Sequence, residues 1–164
     1  MVALTATIIS FSTLYIPQPM LPLLAETFSV SPGEAGLMMT LAMLPLAFAP
    51  LLYGYFLQAI PARSMLMVAL SLLALNQLSF YLATEFWHLL VLRLMQGLLL
   101  PAIFTSLMTY CASMVPAAQV RRAMGYYIGA TIMGGFLGRL AGGVFASLID
   151  WRSAFVVMGL LQLV

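Results

Sequence analysis

Residues 87–104 read WHLLVLRLMQGLLLPAIF, an apolar run broken by Arg93, Gln96 and Gly97. An arginine at membrane depth costs at least ~2.5 kcal/mol, so it persists there only when it faces protein or water and has a partner or a task. The i, i+3, i+4 spacing puts the guanidinium, the amide and the glycine on one helix face. That face is expected to look inward, and its residues are the first candidates for a functional site.

The rest of the composition says that the solvent is lipid. The chain has 164 residues, 64% of them hydrophobic and 6% charged, whereas globular domains carry about 25% charged residues. Six arginines stand against four acids, with no lysine, so there is no basic surface for nucleic acid. A single cysteine, Cys111, rules out an intramolecular disulfide framework and most metal cages. No metal or cofactor is implied.

Apolar stretches long enough to cross ~30 Å of hydrocarbon cover about 2–25, 34–57, 63–83, 87–112 and 123–149, and a sixth begins at 152 and stops at 164. The fold class is therefore all-α and integral to the membrane: a polytopic six-helix bundle with five full crossings and an incomplete sixth. The last stretch is too short to span, so the chain reads as cut inside an element. Ser31-Pro32-Gly33-Glu34 is capping-box chemistry for the second helix. Prolines 17, 19 and 22, 45 and 50, and 101 are expected to bend their helices and free backbone carbonyls. Kinked packing accounts for any one of them, but the three in YIPQPMLP (residues 15–22) place Gln18 beside an irregular backbone.

Arg63 lies in the second-to-third connection and Arg121-Arg122 in the fourth-to-fifth, whereas Glu26, Glu34, Glu85, His88 and Asp150 collect at the opposite ends. By the positive-inside rule the N-terminus is cytoplasmic, with Trp87 and Trp151 at the outer interface. The fifth helix carries GYYIGATIMGGFLGRLAGGVFA (125–146). Gly134, Gly138 and Gly142 form a four-residue line flanked by Gly135, a pattern that lets another helix backbone approach closely. Static packing explains the glycines. It does not explain Arg139, about ten residues or ~15 Å from the outer end.

These residues carry a family resemblance. RLMQG at 93–97 is similar to the Arg-x-x-Gln-Gly signature in the fourth helix of the major facilitator superfamily, and Asp150-Trp151-Arg152 with Phe155 resembles the W-R-x-x-F that opens its sixth helix. The glycine-rich fifth helix lies where that family's antiporter motif falls. Gly54 and Arg63 stand where its Gly-x-Leu-Ala-Asp-Arg-x-Gly-Arg-Arg loop belongs, in a degenerate form: Gln58 takes the aspartate position and Ala59 the next basic one. The match covers the chain as the N-terminal six-helix half of a transporter, resembling bacterial drug-efflux-like members.

The resemblance implies secondary transport of small molecules by alternating access, in the efflux direction, with proton antiport, in a bacterial inner membrane. It implies that the missing C-terminal six-helix half is a partner, and that Gln18, Arg93, Gln96 and Arg139 line the substrate or coupling path. Gly97 and the glycines of the fifth helix then serve packing, and the third and sixth helices face lipid. Arginine does not release its proton, so Arg93 acts by tuning a partner carboxylate or holding an anionic group. A membrane enzyme is the competing class, but the only histidine lies at the surface. A non-transporting scaffold is the other, and intramembrane Arg93 and Arg139 argue against it.

Overall fold

The computed structural model describes residues 2–56 and 60–163. Five helical spans in it are long and apolar enough to cross a membrane. The first is interrupted: α1 (Val2–Tyr15) ends before the prolines, a 3-10 turn (Gln18–Met20) follows, and α2 (Leu21–Phe28) completes the crossing. Pro17 has no N–H to offer the Thr13 carbonyl one turn back, so the α-helical ladder stops here. This crossing therefore differs from a single helix over 2–25 in having a break and in reaching Phe28.

Hydrogen bonding sets the boundaries at one end of the bundle. Ser29 closes α2 in the left-handed region (φ 53°). The Ser31 hydroxyl accepts from the Glu34 N–H at 3.2 Å while the Glu34 carboxylate accepts from the Ser31 N–H at 2.8 Å, starting α3 (Pro32–Phe56). α4 (Ala62–Ser79) tightens into a 3-10 turn over Phe80–Leu82. α5 (Phe86–Ser113) opens with a second reciprocal cap, in which the His88 ring nitrogen accepts from the Glu85 N–H at 3.1 Å. His88 thus has a capping role. α6 (Val120–Leu148) is the longest helix and α7 (Trp151–Leu161) the last. Of the expected loop motif, Arg63 sits exposed in the first turn of α4 and Gly54 lies within α3, while Gln58 and Ala59 fall outside the described residues.

α1 packs chiefly on α6, α3 and α4 both pack on α5, and α7 packs on α4. Two apolar cores result. One gathers Ile16, Met20, Leu24, Met38, Leu89 and Phe155, and the other Leu14, Ala42, Leu73, Leu100 and Ile103. Along α5 the passage from Leu89 to Leu100 goes through Arg93 and Gln96, so the polar residues form a layer between the two cores.

Trp151 corrects the expectation of an interfacial indole. Only 3% exposed, it packs edge-on to Phe28 and Phe155, while Phe155 stacks on Phe80 at 4.1 Å. The Arg152 guanidinium lies over the Trp151 ring at 4.4 Å and donates to the Ala83 carbonyl at 3.2 Å. Packed edge-on against two phenylalanine rings, the indole is buried by protein. α7 is likewise only partly lipid-facing: Ala154, Phe155, Met158 and Gly159 are buried, whereas Val157, Leu160 and Leu161 are exposed.

Candidate functional site

The break in α1 makes the first half of the site. A helix leaves its last carbonyls without intrahelical donors, and α1 ends just after Thr13 and Leu14. α5 supplies the missing donors. Arg93 Nη2 donates to the Leu14 carbonyl at 3.0 Å, and Gln96 Nε2 donates to the Thr13 carbonyl at 3.0 Å. Arg93 Nε reaches across to the Met38 carbonyl of α3 at 2.8 Å, Nη1 donates to Gln96 Oε1, and Met39 Sδ lies 3.5 Å from Nη2. One planar guanidinium thus ties α1, α3 and α5 together.

Arg93 and Gln96 are both fully buried. Every hydrogen-bond acceptor around Arg93 is a neutral dipole. Carbonyls of fixed direction replace the hydration shell of the cation, as buried charge requires. Gly97 allows the close approach: a Cβ there would lie 2.5 Å from the Ala42 carbonyl oxygen and 3.0 Å from its Cα. The layer continues into α7 and its end, where Gln162 Nε2 donates to Thr13 Oγ1 at 2.7 Å and Thr13 Oγ1 donates to the Ile9 carbonyl at 2.9 Å.

Arg139 occupies a different setting. Its Nε donates to Gln18 Oε1 at 2.7 Å, Nη1 donates to the Gly135 carbonyl at 3.0 Å, and its guanidinium carbon stands 4.1 Å from the Tyr15 ring centroid. Arg139 and Gln18 are exposed on the bundle surface. Among the described residues the structure joins Gln18 to Arg139 and Gln96 to Arg93, and no hydrogen bond links the two pairs. The arginines therefore form one enclosed strut and one open site, separated by the end of α1.

α1 and α6 meet along the glycine line. Added Cβ atoms at Gly134, Gly138 and Gly142 would strike the backbone carbonyls of Ile8, Ser12 and Ile16 respectively, and Ser12 Oγ donates to the Gly134 carbonyl at 3.0 Å. Gly135 faces the Tyr15 ring and the Arg139 side chain. Gly125, Gly129 and Gly143 open onto empty space. Two surface grooves, about 360 and 470 Å³, are lined mainly by apolar side chains and include none of Gln18, Arg93, Gln96 or Arg139. Among the described residues no group of three or more His, Cys, Asp or Glu is placed to hold a metal.

Thr13, Tyr15, Met38 and Gln162 are site residues that no sequence motif marks. Pro17 was the available signal for Thr13, since a missing N–H implies an orphan carbonyl one turn earlier. Asn76 makes an interhelical bond, donating to the Leu92 carbonyl at 3.2 Å. Gln77 does not: both its amide atoms are buried without a hydrogen-bond partner among the described residues.

A family model for the Major Facilitator Superfamily matches residues 3–164. The chain belongs to the major facilitator superfamily. It is 30% identical over 155 residues to an inner membrane transport protein of Escherichia coli, YnfM, covering 94% of this chain and 37% of that protein. It is 25% identical over 155 residues to an uncharacterized MFS-type transporter of Bacillus subtilis, YybF, covering 94% and 38%. A probable sugar efflux transporter of Helicobacter acinonychis is 23% identical over 148 residues, with 90% and 38% covered. The chain thus spans little more than a third of the length of these relatives. This is a multi-pass membrane protein of a family of transporters, not enzymes, and its all-α bundle corresponds to the N-terminal half of the major facilitator fold.

Proposed function

We propose that this bundle is one half of a secondary transporter that moves small molecules outward across a bacterial inner membrane by alternating access. The observation that carries the reading is Arg139 with Gln18: a charged and an amide side chain exposed on helix surfaces within membrane-crossing spans. Lipid tails do not solvate a guanidinium, so this face belongs to a water-filled path or to protein. A second six-helix bundle supplies the opposite wall, and rocking of the two exposes the path to each side in turn.

Gln18 and Arg139 then lie on the path itself. Arg93 and Gln96 act on it from inside the bundle, because they fix the end of α1 from which Tyr15 and Gln18 project. Gly97, Gly134, Gly135, Gly138 and Gly142 hold the helix backbones in register around them. The inner membrane is supported by the name of the Escherichia coli relative, and the outward direction by that of the Helicobacter acinonychis relative. The chain's four acids, Glu26, Glu34, Glu85 and Asp150, fall at or near helix ends. The proton-carrying carboxylate of an antiport cycle is therefore assigned to the second bundle.

The test is solute flux in proteoliposomes containing the full-length protein, under an imposed proton gradient, with residues 1–164 alone as the comparison. The full-length protein is expected to move at least one solute of a broad panel faster than protein-free liposomes, with the effect abolished by a protonophore. Residues 1–164 alone are expected to move none. Flux by the fragment equal to that of the full-length protein would overturn the two-bundle mechanism.

A further inference from the structure

The two intramembrane cations differ in what remains for a ligand. The Arg93 guanidinium is spent on Leu14, Met38 and Gln96 and is enclosed. Arg139 uses Nε and Nη1 on neutral partners, and its Nη2 amino group makes no hydrogen bond among the described residues. Gln18 and the Tyr15 ring hold the guanidinium plane from one side. Gly143, one turn further along α6, leaves open space beside it.

We infer that Arg139 is the anion-recognition point of the transport path and that the substrates are apolar compounds carrying a single carboxylate. The inference rests on the transporter reading and names the substrate class for it. A single exposed guanidinium balances one negative charge, which favours a monocarboxylate over a phosphate dianion. Its free Nη2 amino group can donate a charge-assisted hydrogen bond to a carboxylate oxygen while Gln18 and Gly135 hold the other two nitrogens. Ile128, Ile132 and Phe136 lie on the same stripe of α6, eleven, seven and three residues before Arg139, and are 56%, 69% and 60% exposed. A carboxylate seated on Arg139 therefore has an apolar wall beside it for the rest of the molecule. Among the described residues no acid contacts the arginine, so this bundle's side of the path presents a positive charge, and a low-dielectric cleft of one sign concentrates the opposite ion.

The test uses the full-length protein in nanodiscs with matched probes: radiolabelled naphthoate, its neutral isostere naphthamide, and the cation tetraphenylphosphonium. Naphthoate is expected to bind at least about tenfold more tightly than naphthamide, the discrimination a charge-assisted hydrogen bond supplies. Arg139→Gln should remove the preference, while Arg139→Lys keeps part of it. Equal binding of naphthoate and naphthamide, absence of naphthoate binding, or an undiminished preference in a folded Arg139→Gln protein would each overturn the assignment. Tetraphenylphosphonium bound equally by the wild type and Arg139→Gln, without an anion preference, would remove the anion site, and its flux in proteoliposomes would show that transport still stands. If Arg139→Gln instead melts well below the wild type and neither protein prefers the anion, Arg139 is paired with a carboxylate from the second bundle and the inference falls.

Discussion

Arg93 is held by geometry more than by charge. Its acceptors are the carbonyls of Leu14 and Met38 and the amide of Gln96, on three different helices, and a lysine ammonium at the same position reaches only part of that set. Each acceptor left without a donor costs about 1–3 kcal/mol when buried. Arg93→Lys is therefore expected to lower the stability of the full-length protein by about 2 kcal/mol or more, read as a fall in Tm in detergent. A Tm equal to that of the wild type would show that the three ties are dispensable. That Arg93 mattered was legible from an arginine in an apolar run. Its partners were not, because they are backbone atoms, and a sequence does not say which helix end lies against which side chain. Thr13 was the nearest to being readable, through the missing N–H of Pro17. Gln162 carried no such signal, being one amide in an apolar stretch whose depth depends on how α7 leans on α4.

The helices themselves were largely visible as runs of apolar residues bounded by polar breaks, and the Ser31–Glu34 cap marked the start of α3 to within two residues of the expected position. What remained hidden was which face of each helix meets protein. Hydrophobic periodicity loses its meaning when lipid and core are both apolar, so Trp151 and the buried side of α7 gave no sequence signal. Glycine spacing is the exception, because a missing side chain records a close approach. Gly134, Gly138 and Gly142 lie against the α1 backbone, yet Gly125 and Gly129 repeat the spacing and face open space. Gly138→Ala and Gly129→Ala therefore have opposite expected effects. At 138 the new methyl collides with the Ser12 carbonyl, a backbone atom that yields only if α1 moves away, and overpacking of this kind costs about 1–3 kcal/mol. At 129 the methyl meets nothing, and replacing a helical glycine removes a propensity penalty of about 1 kcal/mol. Melting curves of the two variants, made in the full-length protein, check the pair. Equal Tm values would mean that α1 and α6 are not in backbone contact along this line.

Across the whole molecule, the charged residues apart from Arg93 and Arg139 are segregated to the two ends of the bundle. Arg63 is in the first turn of α4, and Arg121 and Arg122 are in the first turn of α6. Glu26, Glu34, Glu85 and Asp150 lie at the other end, where Ser31 with Glu34 and Glu85 with His88 cap helices and Arg152 binds the Ala83 carbonyl. Two of the acids at that end, Glu34 and Glu85, therefore have structural tasks, whereas the three arginines are exposed. Exposed arginines near helix ends resist translocation, and acids contribute little to orientation. The arginine-bearing connections are accordingly expected in the cytoplasm, together with the N-terminus. Arg152 does not oppose this, since it is folded over Trp151 and bonded to Ala83. The expectation is checked with single cysteines in a Cys111→Ser background. Ser64 and Thr84 are both exposed and lie at opposite ends of the α4 crossing. In intact cells a membrane-impermeant maleimide should label the Thr84→Cys variant and spare the Ser64→Cys variant, which should react once the membrane is permeabilised. Labelling of Ser64→Cys in intact cells, with Thr84→Cys protected, would invert the bundle. It would also place the Arg139 site in the inner half of the membrane, since α6 then enters from the outside and Arg139 lies in the half of the helix nearer its C-terminal end.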